Sequence, residues 1–176
     1  VVFIQQNPRI AFFDWKNISQ GTVIPVDPSS VINAYYRPLL ELLYRVEYVF
    51  FGLNPAGYHL FNIFVHIANS FLAYWLVNVL AQGKRGYAFA AAVLFLLHPV
   101  QSEAVACISG ISNLLFAFLV LASLCFYLRN SIISYVLSLL AFALALLAKE
   151  QAVVLPVLIV LLEMISSSSA ARPIFP

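Results

Sequence analysis

The sequence predicts an all-α, polytopic membrane protein, a helical bundle of about five transmembrane helices. Three observations carry this expectation. The 176 residues are 63% hydrophobic and only 9% charged, against about 25% charged in an average soluble domain. The mean hydropathy is +0.95. The apolar residues come in long runs, divided by short segments that hold most of the charge.

The same composition limits the function classes. A net charge of +2, scattered along the chain, gives nucleic-acid binding no support. Cys107 and Cys125 are expected near opposite membrane faces, without CxxC or Cys/His spacing, so neither a disulfide nor a zinc site is expected. No cleavable signal peptide and no initiator Met is visible, and the chain is expected to be a piece of a longer protein.

Residues 1–34 are comparatively polar and carry the turn signals Asn7-Pro8, Pro25, Asp27-Pro28 and Ser29-Ser30. They predict an extramembrane loop with one short helix near Phe12–Ser19. Asn17-Ile18-Ser19 fits a glycosylation sequon, a pattern short enough to recur by chance. Residues 35–52 predict an amphipathic helix lying in the membrane interface: Arg37, Glu41, Arg45 and Tyr48 recur three or four apart, with leucines and valines on the other side. Together, residues 1–56 are expected to form an outer loop, residues 57–166 a transmembrane bundle, and residues 167–176 a tail linker.

The first span is expected over residues 57–81. Its polar residues His59, Asn62, His66 and Asn69 or Ser70 share one helix face. Such a stripe faces either a wet cavity or neighbouring helices that it hydrogen-bonds. The cavity is the stronger expectation for His59, and the two are balanced for His66. Later spans are expected over residues 87–98, 111–128, 132–148 and 151–165. Pro99 is expected to end or kink the second at His98, and Pro156 to kink the last.

Five spans alternate sides. Lys84, Arg85, Arg129 and Arg172 then share one side, which the positive-inside rule makes cytoplasmic. Tyr36-Arg37-Pro38, His59, His98, Glu103 and Lys149-Glu150 collect on the outer side. The segment HPVQSEAVACISG, His98 to Gly110, is the polar break among these runs, and Glu103 is the only carboxylate between Glu47 and Glu150. Ionisable residues among membrane spans mark functional sites. Glu103 with His98 suits general acid–base chemistry or a metal site, or Glu103 simply pairs with Lys149 or Arg37. Arg37 suits a lipid phosphate or ordinary headgroup contact. The sequence specifies no cofactor, a divalent metal staying open.

Four ordered stretches extend this reading: YYRPLLELLY, GLNPAGYHLFNIFVHIANSFLAY, LLHPVQSEAVACISGISNLL and ALLAKEQAVVLPVLIVLL. Over residues 35–165 the chain resembles the membrane part of the TMTC-type proteins, transmembrane proteins followed by tetratricopeptide repeats, and their bacterial relatives. These belong to the GT-C superfamily of polyprenyl-phosphate-sugar-dependent glycosyltransferases, together with the protein O-mannosyltransferases. The resemblance implies a GT-C-like bundle in the bacterial inner membrane or the endoplasmic reticulum membrane. Its site would face the periplasm or lumen. Its partners would be a polyprenyl-phosphate-linked sugar donor and a protein or glycan acceptor. It also implies that Arg37 contacts the carrier phosphate and that His98 and Glu103 line the site. Combined with the outer-face reading, this makes His98 and Glu103 the catalytic candidates and Arg37, His59, Lys149 and Glu150 the substrate-binding ones.

Two departures from the family pattern stand out. The family's acidic pair, its expected catalytic base, would fall with the family's first span just before Val1, and Asp14 does not replace it. Where the family has Arg and Asp, this chain has Ile111 and Asn113. A polyprenyl-phosphate-binding scaffold without transferase activity is therefore the alternative, and a transporter ranks behind both because no mid-span carboxylate is present to couple ions.

Overall fold

The computed structural model describes residues 37–129 and 131–168, and every described element is helical. Helix α1 (Pro38–Phe51) begins on Pro38, whose missing amide costs nothing in a first turn. It ends at Gly52, whose φ of 55° is the left-handed geometry that a side chain disfavours. Helix α2 (Pro55–Leu80) is capped by Asn54, whose side chain accepts from the Ala56 amide at 3.1 Å. Then come α3 (Arg85–Leu97), the short α4 (Gln101–Ala106), a 3-10 turn (Ile108–Gly110), α5 (Ile111–Tyr127) and α6 (Ile132–Ala148). A second 3-10 turn (Glu150–Val154) leads into α7 (Leu155–Ser168).

Two of these helical stretches, Pro55–Leu80 and Ile108–Tyr127, are long and apolar enough to cross a membrane. Arg85–Leu97 and Ile132–Ala148 are apolar but shorter. Of the five spans expected from the sequence, two meet the length criterion among the described residues. Arg85–Leu97 and Ile132–Ala148 are helical through almost the whole of their expected runs and are simply short, whereas the last run begins as a 3-10 segment before α7 starts. Pro156 does not kink it. The residue is second in α7, in the first turn, where no intrahelical donor is required. The helix predicted near Phe12–Ser19, Asn17 and Tyr36 lie outside the described residues.

Packing centres on α2 and α5. Asn62 on α2 donates to the carbonyls of Val105 and Cys107 at 3.3 and 2.9 Å, and Asn69 to that of Leu114 at 3.0 Å. Further along, the Cys125 thiol donates to the Leu72 carbonyl at 3.7 Å. The partners ascend in both helices, so the two run in the same direction. Helix α6 lies against α5 through Ser134, Ser138, Ala141, Ala145 and Ala148, all buried and spaced three or four apart. Small residues at that spacing let two backbones approach closely, the usual device of membrane helix pairs. Ser123 and Ser138 close the contact reciprocally, each hydroxyl donating to the other's carbonyl at 2.9 and 2.8 Å.

Two apolar clusters result. Leu40, Tyr44, Tyr58, Val65, Ile111 and Leu114 tie α1 to α2 and α5, with Ala104 and Val105 of α4 packed against them. Leu119, Ala145, Ala148 and Ala152 join α5, α6 and the second 3-10 turn. Much of the outward surface stays apolar: Leu60, Phe64, Phe71, Phe89, Leu97 and Ile132 are all exposed. Apolar surface on that scale marks a membrane or protein contact rather than water.

Candidate functional site

The polar end of the bundle is assembled from three chain breaks: the entry to α1, the entry to α5, and the link between α6 and α7. Lys149 terminates α6 in an extended conformation, and the following turn brings Glu150 to Arg37. One Arg37 nitrogen, Nη2, donates to both Glu150 oxygens at 2.9 and 3.2 Å. The Arg37 side chain is 18% exposed and that of Glu150 57%, so the arginine is the sheltered partner. The backbone amide of Glu150, then the Arg37 guanidinium, holds the Glu150 carboxyl below its usual range. The adjacent Lys149 ammonium donates to the Asn113 side-chain oxygen on α5 and lies 6.0 Å from the centre of the Phe116 ring.

The structure therefore brings four residues into two contacts, Arg37 with Glu150 and Lys149 with Asn113. The other three sequence-predicted residues are not in hydrogen-bond contact with them. His98 is exposed at the end of α3, and its Nδ1 accepts from the Val100 amide at 3.2 Å. Glu103 is exposed in the first turn of α4 and forms no ion pair among the described residues, so neither Arg37 nor Lys149 is its partner. His59 is half-buried near the start of α2. The rest of the polar stripe on α2 is turned to helix contacts: besides the two asparagines, His66 Nε2 lies 3.1 Å from the Leu96 carbonyl and stacks on Phe95. The stripe is a set of helix-to-helix hydrogen bonds rather than a cavity lining at Asn62, His66 and Asn69.

Position follows from packing here. Asn62 grips the end of α4, and Gly110 lets α5 begin directly beneath it, since a Cβ at Gly110 would run into the Ala104 carbonyl. With Ala104 and Val105 turned inward, Ser102 and Glu103 are left facing out.

Sequence reading missed Glu47. It is 2% exposed, and neither carboxylate oxygen has a hydrogen-bond partner among the described residues. Burial pushes its pKa up to about 7. Tyr44 is raised as well, by burial first and by Glu47 second, against the lowering influence of Arg37. The available signal was the spacing of Arg45 and Glu47. They cannot share a helix face, yet both are buried, with Arg45 donating to Glu41 at 2.9 Å. Among the described residues no three His, Cys, Asp or Glu side chains gather where a metal ion could be held.

Three curated relatives illustrate the likeness to known proteins. The chain is 32% identical to the protein O-mannosyl-transferase Tmtc1 of Drosophila melanogaster over 142 residues, 78% of this chain and 16% of that protein. It is 34% identical to human protein O-mannosyl-transferase TMTC3 over 125 residues, 67% of this chain and 13% of the relative. It is also 34% identical to the Caenorhabditis elegans protein O-mannosyl-transferase F38B6.6 over 125 residues, 70% and 18% respectively. The match thus spans less than a fifth of the length of each relative. No family model and no solved structure matches the chain.

Proposed function

The chain belongs to the family of TMTC-type protein O-mannosyl-transferases, and from that premise we propose that it is a piece of an integral-membrane, GT-C-type transferase. In this reading residues 1–56 form an outer loop with an interfacial helix, residues 57–166 a multi-pass bundle, and residues 167–176 a linker. The site faces the lumen or periplasm. Its donor is a polyprenyl-phosphate-linked sugar, mannose by analogy with the relatives' names, and its acceptor a protein or glycan hydroxyl.

The chemistry is displacement at the anomeric carbon. The acceptor oxygen bonds to that carbon while the carbon–oxygen bond to the phosphate breaks, and the bonding pair leaves with the polyprenyl phosphate. A carboxylate takes the hydroxyl proton. The family's acidic pair is the expected base, and Glu103, exposed and without an ion pair among the described residues, is the catalytic candidate within this chain, lining the site with His98 in the same polar break. Arg37 and Lys149 stabilise charge developing on the phosphate. His59 and Glu150 orient the donor side of the site, Glu150 by holding Arg37.

The observation that carries this reading is the relatives' shared name as protein O-mannosyl-transferases, with the paired contacts Arg37–Glu150 and Lys149–Asn113 as its structural counterpart. Arg37→Ala in the full-length protein should lower turnover by about 10²-fold or more, the scale for removing one donor to developing charge. Unchanged turnover removes Arg37 from the machinery. A second reading, binding of polyprenyl phosphate without transfer, is favoured by Asn113, which meets Lys149 without a charge of its own. Saturable carrier binding with no sugar transfer selects it.

A further inference from the structure

At the opposite end of the bundle from Arg37, a groove of about 480 Å³ runs between α2 and α5. Phe64, Ile67, Ala68, Phe71, Leu72 and Trp75 form one wall, and their spacing of three and one puts them on a single helix face. Phe118, Cys125, Phe126 and Arg129 form the other. Phe64 to Trp75 and Phe118 to Arg129 each cover about 16 Å at about 1.5 Å per residue. That is about half of a ~30 Å hydrocarbon core, or the depth of one leaflet.

The groove is apolar along its length and cationic at one end. Arg129 is exposed, sits 5.5 Å from the centre of the Trp75 ring, and forms no ion pair among the described residues. Glu163 on α7 accepts instead from the hydroxyl of Tyr127, two residues before Arg129, at 2.9 Å. Because α2 and α5 run the same way, Arg129 shares its end of the bundle with Lys84 and Arg85, which follow α2. A tryptophan and an arginine at the end of a one-leaflet groove match the depth of a lipid headgroup.

We infer that this groove binds one acyl chain of an anionic phospholipid, whose phosphate is held by Arg129. The volume falls within the ordinary range for a small-molecule site, about 300–1,000 Å³. The walls argue against a further helix as the occupant. Membrane helices meet through small residues, as α5 and α6 do here, whereas five aromatic rings line this groove. A thin, flexible chain fits between them. The inference rests on the membrane-spanning reading of the bundle and is independent of the transferase chemistry.

The test uses Trp75 as its own reporter. The chain has two tryptophans, Trp15 and Trp75, so Trp15→Phe leaves one. This chain is reconstituted in phosphatidylcholine vesicles containing a minor fraction of a phospholipid brominated on its acyl chains, which quenches tryptophan on contact. Brominated phosphatidylglycerol should quench Trp75 about fivefold more, at equal fraction, than brominated phosphatidylcholine, the factor for one cation near an anionic headgroup. Arg129→Gln should bring the ratio to about one, while Arg129→Lys keeps most of it. Ala68→Phe, which narrows the groove without touching the cation, should weaken quenching by both lipids. Equal quenching by the two lipids at Arg129 overturns the inference, and quenching by neither shows the groove filled by protein and overturns it too. A chain that fails to float with the vesicles overturns the membrane reading together with this one, which separates the two failures.

Discussion

Glu47→Gln should stabilise the protein at alkaline pH and leave it unchanged at acid pH. The buried carboxyl is raised from an ordinary 4.5 to about 7, and both oxygens lack a hydrogen-bond partner among the described residues. As pH rises above 4.5 the unfolded chain releases the proton first, while the folded chain keeps it until about 7. The unfolded state then binds fewer protons than the folded one, so stability falls with rising pH across that window and stays low above it. This is the reverse of a salt-bridged carboxylate. At about 1.4 kcal/mol per tenfold change in proton affinity, the rise from 4.5 to about 7 gives at most about 3–4 kcal/mol. Tyr44 lies close enough to be raised by Glu47, but it stays protonated throughout the window and does not blur the signal. Thermal unfolding in detergent, with wild type and Glu47→Gln compared at pH 4.5, 6 and 8, reads the difference. The curves should coincide at pH 4.5 and separate progressively, the variant being more stable. Parallel curves, or a variant less stable at pH 8, would refute the assignment of an unpaired buried carboxyl.

Further consequences follow from single contacts. Replacing both Ser123 and Ser138 with Ala should cost about 1–2 kcal/mol in detergent unfolding, in line with hydrogen bonds between membrane helices. Gly110→Ala should cost about 1–3 kcal/mol, because its Cβ meets the Ala104 backbone rather than a movable side chain. It should also shift α4, and so reduce any activity that depends on Glu103. Asn69→Leu should destabilise by about 1–2 kcal/mol, since it removes a buried donor to the Leu114 carbonyl.

The helix boundaries were legible because each apolar run is closed by punctuation that physics makes decisive. Pro38 and Asn54-Pro55 open helices, while Gly52 and Gly83 adopt positive φ just beyond helix ends. Counting membrane crossings was less secure, since an apolar run does not reveal how many of its residues a 3-10 turn will take, as at Glu150–Val154. The stripe on α2 was legible as one face. Its use was not, because Asn62, His66 and Asn69 all meet backbone carbonyls, whose positions no side-chain pattern announces. At the polar end, Arg37, Lys149 and Glu150 were read as candidates, but their pairing depends on the turn after Ala148. That turn sends Glu150 to α1 and Lys149 to α5. Helix α4 was hidden for a simpler reason: six residues are too few to display a period. Glu47 escaped because burial of a carboxyl without a partner runs against every expectation for an amphipathic helix.

The most direct test of the central claim is sugar transfer by the full-length protein in proteoliposomes, with polyprenyl-phosphate mannose as donor and an unglycosylated acceptor protein. Acceptor-dependent loss of the donor, with mannose appearing on Ser or Thr hydroxyls and with Arg37→Ala and Glu103→Gln each slowing it strongly, is the result this account predicts. Saturable donor binding without any transfer to acceptor would contradict it.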